Sequence, residues 1–221
     1  MPQLGAVGVI SYKVSKATGF KVHFGPVRAE DIRSFIAKGY NAGPEMRTIH
    51  FSIMDRLVLT PMEINPAIKK FPLFALIVLL IFGLQPQGIF FKNALLGGLP
   101  FLVLGLAAIL SGTVLTPVLL PFIPFRSFAI KGWIVGMATI LVVTGTTTIL
   151  DNVDALLSAV TYIFFPMLSS FWALQFTGST TYTSMAGVKK EMKIAIPVYI
   201  GSLAVTGILA MLYKMRQWGV L

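Results

Sequence analysis

IAIPVYIGSLAVTGILAMLY, residues 194–213, runs from Lys193 to Lys214 without a charged side chain. A helix needs roughly 20 mainly apolar residues to cross about 30 Å of hydrocarbon. This interval therefore has the length and composition of a membrane span. Working outward, the same pattern recurs toward the N-terminus. ALLSAVTYIFFPMLSSFWALQ (155–175) follows Asp154, and GWIVGMATILVVTGTTTIL (132–150) lies between Lys131 and Asp151. A longer run between Lys92 and Arg126 centres on LPFLVLGLAAILSGTVLTPVLL, with the span placed at 97–120. FPLFALIVLLIFGLQPQGIFF (71–91) is the weakest interval, because Gln85-Pro86-Gln87 interrupts it and leaves FPLFALIVLLIFGL as a stretch short enough to be re-entrant.

Composition agrees: of 221 residues, 56% are hydrophobic and 12% charged, against roughly a quarter charged for a soluble domain. The expected fold is a mainly α, polytopic membrane protein with about five transmembrane helices over residues 69–221. Residues 1–68 form a separate small unit, richer in charge and read as partial α/β. In it, GAVGVISYKVSKATG reads as a helix closing at Gly19, and FKVHF alternates like a strand. AEDIRSFIAKG has acids in its first turn and Lys38-Gly39 at its end, as a bounded helix should. RTIHFSI and RLVLT read as further strands.

The net charge of +10 would point to nucleic acid in a soluble domain. Here the excess sits beside apolar runs, so the positive-inside rule accounts for it and no nucleic-acid partner is expected. Lys69-Lys70, Arg126 with Lys131, and Lys189, Lys190 with Lys193 alternate with Lys92 and with acidic Asp151-Asn152-Val153-Asp154. That alternation predicts the cytoplasmic (inner) membrane with the N-terminus in the cytoplasm; Lys214 and Arg216, on the outer side, run mildly against it. With no cysteine in the chain, disulfides, thiolate metal sites and iron–sulfur clusters of its own are excluded.

Four clusters invite a chemical reading. FGPVRAEDI (24–32) is a strand end, a Gly-Pro turn and an acid-bearing helix start, the place where an open α/β sheet binds its ligand; a plain turn with Arg28 solvated accounts for it equally. PEMRTIHFSIMDRLVLTP (44–61) carries Arg47, His50, Asp55 and Arg56, which read as strand or surface residues. His23 and His50 alone are too few ligands for a metal. Hydroxyl side chains crowd Thr177–Ser184 in a connection on the cytoplasmic side, where they serve as helix caps or as a contact surface. TGTTT (144–148) lies inside a span, its hydroxyls able to bond back to their own helix or to a neighbour, and Gly132 with Gly136 makes a helix-packing G-x-x-x-G. No span contains an internal acid or base, which counts against an ion-coupled transporter.

PQLGAVGV (2–9), GFKVHFGPVRAEDI (19–32), GPEMRTIHFSIMDRLVLTPMEI (43–64) and FTGSTTYTSMAGVKKEM (176–192), in this order among five apolar spans, resemble the mercury-methylating corrinoid protein family (HgcA). That family is related to the corrinoid iron–sulfur protein of the acetyl-CoA pathway. The resemblance implies a cytoplasmic corrinoid (cobalamin) domain joined to five transmembrane helices. It also implies a methyltransferase activity from methylcorrinoid to mercuric ion and a ferredoxin-like iron–sulfur partner that reduces cobalt. The family's cap helix, N-x-W-C-A-x-G-K with its cobalt-facing cysteine, has no counterpart in these residues. The chain then corresponds to the C-terminal part of such a protein, not competent alone and dependent on the missing cap-helix region. Under this resemblance the cofactor-binding expectation falls on the turn: Gly25, Pro26, Arg28, Glu30 and Asp31, with backbone groups and a helix N-terminus meeting corrinoid substituents. The alternatives are a non-enzymatic membrane scaffold or small transporter, and an acetyl-CoA-pathway relative with a different methyl acceptor.

Overall fold

The computed structural model describes residues 5–6, 8–48, 51–151, 153–179 and 185–220. The chain divides into two compact units, Met1–Phe51 and Ser52–Leu221.

In the first unit, α1 (Ser11–Thr18) closes on Gly19, whose φ of 73° is the left-handed conformation that ends helices cheaply in glycine. A 3₁₀ turn, Ala29–Asp31, leads into α2 (Ile32–Ala37), and a second covers Glu45–Arg47. The unit's small core is Phe35 with Met46, and the Val27 N–H donates to the Met46 carbonyl at 2.9 Å. Tyr40 stacks on His23 with ring centroids 4.6 Å apart and meets Phe35 edge-on. Residues 20–24 form no strand, and among the described residues of this unit an isolated bridge at Gly25 is all that remains of a ladder. Part of RTIHFSI, including His50, lies outside the described residues.

Among its described residues the second unit carries five helices long and apolar enough to cross a membrane. The expected boundary at 68/69 moves upstream, because α3 runs unbroken over Ile53–Gly83. RLVLT is therefore helical rather than a strand. Ser52 and Asp55 make a capping box, with Asp55 N–H donating to Ser52 Oγ at 3.2 Å and Ser52 N–H to Asp55 Oδ2 at 2.8 Å. Prolines at 61, 66 and 72 sit inside this helix. Each removes one backbone donor, and at Pro61 the carbonyl left over, that of Leu57, accepts from Thr60 Oγ1 at 2.8 Å instead. The inward face of α3 follows a three-to-four-residue stripe, Arg56, Thr60, Ala67, Val78 and Phe82.

Gln85-Pro86-Gln87, which interrupts the apolar run, is a turn. β1 (Leu84–Gln85) pairs antiparallel with β2 (Gly88–Ile89), reversing the chain into α4 (Phe91–Leu110). That helix passes through a π turn, Ser111–Leu115, into α5 (Thr116–Leu119). Pro117 explains the widened turn: its ring crowds the carbonyl four residues back, and one extra residue in the preceding turn relieves the clash. α6 (Phe128–Thr146), α7 (Ala155–Gln175) and α8 (Met185–Gln217) complete the bundle.

α7 is the hub. Its buried face, from Leu157 through Thr161, Phe165 and Ser169 to Trp172, meets α4, α6 and α8. Aromatic rings fill one end of the core: Phe82 stacks on Phe101 at 4.9 Å and Phe74 on Phe164 at 6.0 Å. Outward faces are large and apolar, as at Leu73 (63% exposed), Ile200 (64%) and Met211 (66%). Helices that bury small and hydroxylic residues while showing leucine and isoleucine outward suit hydrocarbon, where backbone polar groups must be satisfied internally. By this architecture the chain is a membrane protein, with five membrane-length apolar helices among the described residues.

Candidate functional site

The turn singled out in the first unit is built as follows. Gly25 and Pro26 are buried, Arg28 and Glu30 exposed and Asp31 half-buried. Arg28 has the extended backbone of a helix-preceding residue (φ −95°, ψ 140°), and Asp31 N–H closes the 3₁₀ turn onto its carbonyl at 3.3 Å. The five residues thus share one short turn, with the acids in its first positions. The helix that follows has six residues, too few to present a developed N-terminal dipole.

The connection Phe176–Ser179 is a 3₁₀ turn in which Thr177 Oγ1 donates to the Leu174 carbonyl at 2.6 Å, a helix-end cap as one of the two sequence readings expects. Thr180–Ser184 lie outside the described residues. In TGTTT, Thr144, Thr146 and Thr147 bond back to Ile140, Val142 and Val143, and Thr144 also reaches Tyr162 of α7 at 3.2 Å. Arg56 corrects the surface reading: it is 4% exposed, and its Nη1 donates to the Val118 carbonyl at the end of α5, 3.0 Å away. There it meets the carbonyls that a helix C-terminus leaves unbonded.

Two features escaped sequence reasoning. One is a hydroxyl seam where α4, α6 and α7 cross. Ser111 Oγ and Ser169 Oγ are 3.0 Å apart, and Thr139 Oγ1 donates to Ser111 Oγ at 3.3 Å. Ser169 Oγ donates to the Gly132 carbonyl at 2.9 Å, and Ser170 Oγ to that of Ala129 at 2.7 Å. The glycines permit this approach: a Cβ on Gly136 would lie 2.8 Å from Ser169 Oγ and 3.1 Å from Pro166 Cα, and one on Gly112 would be 2.8 Å from Trp172 Cβ. Every hydroxyl in the seam has a partner, so its chemistry is helix association rather than catalysis.

The other is a crevice of about 1430 Å³ lined by the 120–131 segment and by residues of α7 and α8, among them Met167, Ser170, Tyr199 and Ser202. Ser170 and Tyr199 hydroxyls meet in its wall at 2.8 Å. At its polar end, Glu191 accepts from Ser127 Oγ and Ala129 N–H, each at 2.6 Å, tying α8 to the start of α6. Two sequence signals could have pointed to it: Ser127, which caps α6, and Glu191, the acid among the lysines of KKEMK.

No group of three or more His, Cys, Asp or Glu side chains able to hold a metal occurs among the described residues. No protein-family model, no curated protein and no solved structure matches this chain.

Proposed function

We propose that this chain is the membrane-embedded part of a corrinoid-dependent methyl-transfer protein, with the bundle acting as its anchor. The observation that carries the reading is the order of parts: a small unit bearing GFKVHFGPVRAEDI, followed by five membrane-length helices, is the arrangement that the resemblance to the mercury-methylating family implies.

The residues present do not by themselves fit a corrinoid. Gly25 and Pro26 are buried, Arg28 and Glu30 are exposed, and the chain has no cysteine to serve as an axial ligand. The turn therefore supplies at most one wall, and the cofactor's retention falls to a cap-helix region outside these residues. The ferredoxin-like reductant and the methyl acceptor, mercuric ion or another, belong to that completed protein. The basic flanks Arg126, Lys131, Lys189, Lys190 and Lys193 support a cytoplasmic placement for their end of the bundle in the cytoplasmic membrane, and with it for the N-terminus. At the opposite end, Arg216 pairs with Asp154 at 3.5 Å and Lys214 bonds the Leu84 carbonyl at 3.0 Å, so part of the opposing charge there is internally offset.

Co-expression with a cap-helix domain tests this. The expected result is a corrinoid absorption spectrum on the purified pair and none on the 221-residue chain alone. Absence of corrinoid from every combination would end the reading. The second reading, a non-enzymatic scaffold, draws on the fully partnered hydroxyl seam and predicts no cofactor in either preparation.

A further inference from the structure

We propose that the crevice between α6 and α8 is a binding site for one anionic phospholipid, its acyl chain against α7 and its headgroup at the 126–131 end. The inference is independent of the corrinoid reading, since it uses only the membrane unit.

Three observations lead here. First, α6 and α8 both pack on α7 and are joined at one end by the Glu191 clasp onto Ser127 and Ala129. The open crevice they line, about 1430 Å³, exceeds the roughly 300–1,000 Å³ of ordinary small-molecule sites, which leaves room for an occupant the size of a lipid. Second, its walls are mainly apolar: Phe128, Trp133, Ile163, Met167, Ile194 and Val198 all face it. Of the hydroxyls along these walls, Ser170 and Tyr199 bond each other and the Ala129 carbonyl, and Tyr162 bonds Thr144; Ser202 adds a small polar group to an otherwise apolar wall. Third, charge is confined to the mouth, where Arg126, Lys131 and Lys190 stand with Glu191. Glu191 is engaged with its two donors, and Lys131 reaches the Leu120 carbonyl. Arg126 and Lys190, both exposed, make no such bond among the described residues and stand at the mouth to meet an anion. An apolar slot with a cationic rim is complementary to an amphiphile with an apolar tail and an anionic head, and interfacial lysines and arginines hold such lipids.

Trp133 lines the crevice and reports on it. With Trp172 and Trp218 changed to Phe, the chain in phosphatidylcholine vesicles should show Trp133 quenching by brominated phosphatidylglycerol that saturates at low mole fraction. Brominated phosphatidylcholine should quench only in proportion to its abundance. Arg126→Ala with Lys190→Ala should weaken the anionic preference on the order of tenfold. Ala195→Trp, which fills the slot, should abolish saturation. Native mass spectrometry of the unmutated chain gives a second readout, a retained phosphatidylglycerol adduct. Equal quenching by both lipids, an unchanged preference in the double variant, or a second copy of the chain protecting Trp133 in its place would each overturn the proposal.

Discussion

Replacing Gly132 by alanine tests the α6–α7 seam most directly. A Cβ at this position would lie 2.9 Å from Ser170 Cα and 3.1 Å from Ser169 O, where ordinary contact begins at 3.4 Å. Ala173 Cβ is nearer still, and neither it nor the backbone can rotate away, so the helices must part by more than about 0.5 Å or shift along each other. Overpacking of this kind costs about 1–3 kcal/mol. The same displacement stretches the bonds from Ser169 to Gly132 and from Ser170 to Ala129, now 2.9 and 2.7 Å, each worth roughly 0.6 kcal/mol within a membrane. Against this stands the intrinsic gain of alanine over glycine in a helix, up to about 1 kcal/mol. The net expectation is a loss of about 1–3 kcal/mol. Gly207 of α8 is the control, because a Cβ there meets nothing within 4 Å, and Gly207→Ala should leave stability unchanged or raise it by up to about 1 kcal/mol. Equilibrium unfolding in mixed micelles, followed by circular dichroism, measures both. If Gly132→Ala unfolded within about 0.5 kcal/mol of Gly207→Ala, the close-packed seam would be refuted.

Two further substitutions address the ends of the bundle. Glu191→Ala removes the acceptor shared by Ser127 and Ala129 and should lower stability by about 1–2 kcal/mol, with Glu191→Gln milder, as read by thermal unfolding in detergent. Lys214 is 8% exposed and bonds Leu84 and Gln217, so Lys214→Met should cost about 1–2 kcal/mol. Arg216→Ala should cost less than about 1 kcal/mol in the same assay, because that side chain is 68% exposed and its pair with Asp154 is screened.

The spans were legible because charge-free length is a one-dimensional property. Residues 155–175 match α7 as predicted, while the 132–150 interval became a helix at Phe128–Thr146. The early start of α3 was legible only in part. Three prolines, at 61, 66 and 72, lie within α3, yet Ser52-Ile53-Met54-Asp55 spells the capping box that opens the helix. Strand patterning at RLVLT was overridden by that cap and by the inward stripe through Arg56 and Thr60. The hydroxyl seam was not legible, because nothing local states that Ser111 and Ser169 belong to touching helices. Only the Gly132–Gly136 spacing announced a contact, without naming α7 as the partner. The turn expected within residues 24–32 is present at Ala29–Asp31, but the strand expected before it is not, because residues 20–24 have no ladder partner among the described residues.

The central position of α7 also sets an order of events during synthesis. When a ribosome has released α3, α4 and α6, the serine pair that meets Ser111 and donates to the carbonyls of Gly132 and Ala129 has not yet emerged. α3 and α4 can already pair through Phe82 and Phe101, but α6 must wait in lipid with the glycine face that meets α7 open until the fourth crossing arrives. Maturation of this bundle is thus a late, nearly terminal step, and a chain halted before residue 155 would enter the membrane without ever closing its interior.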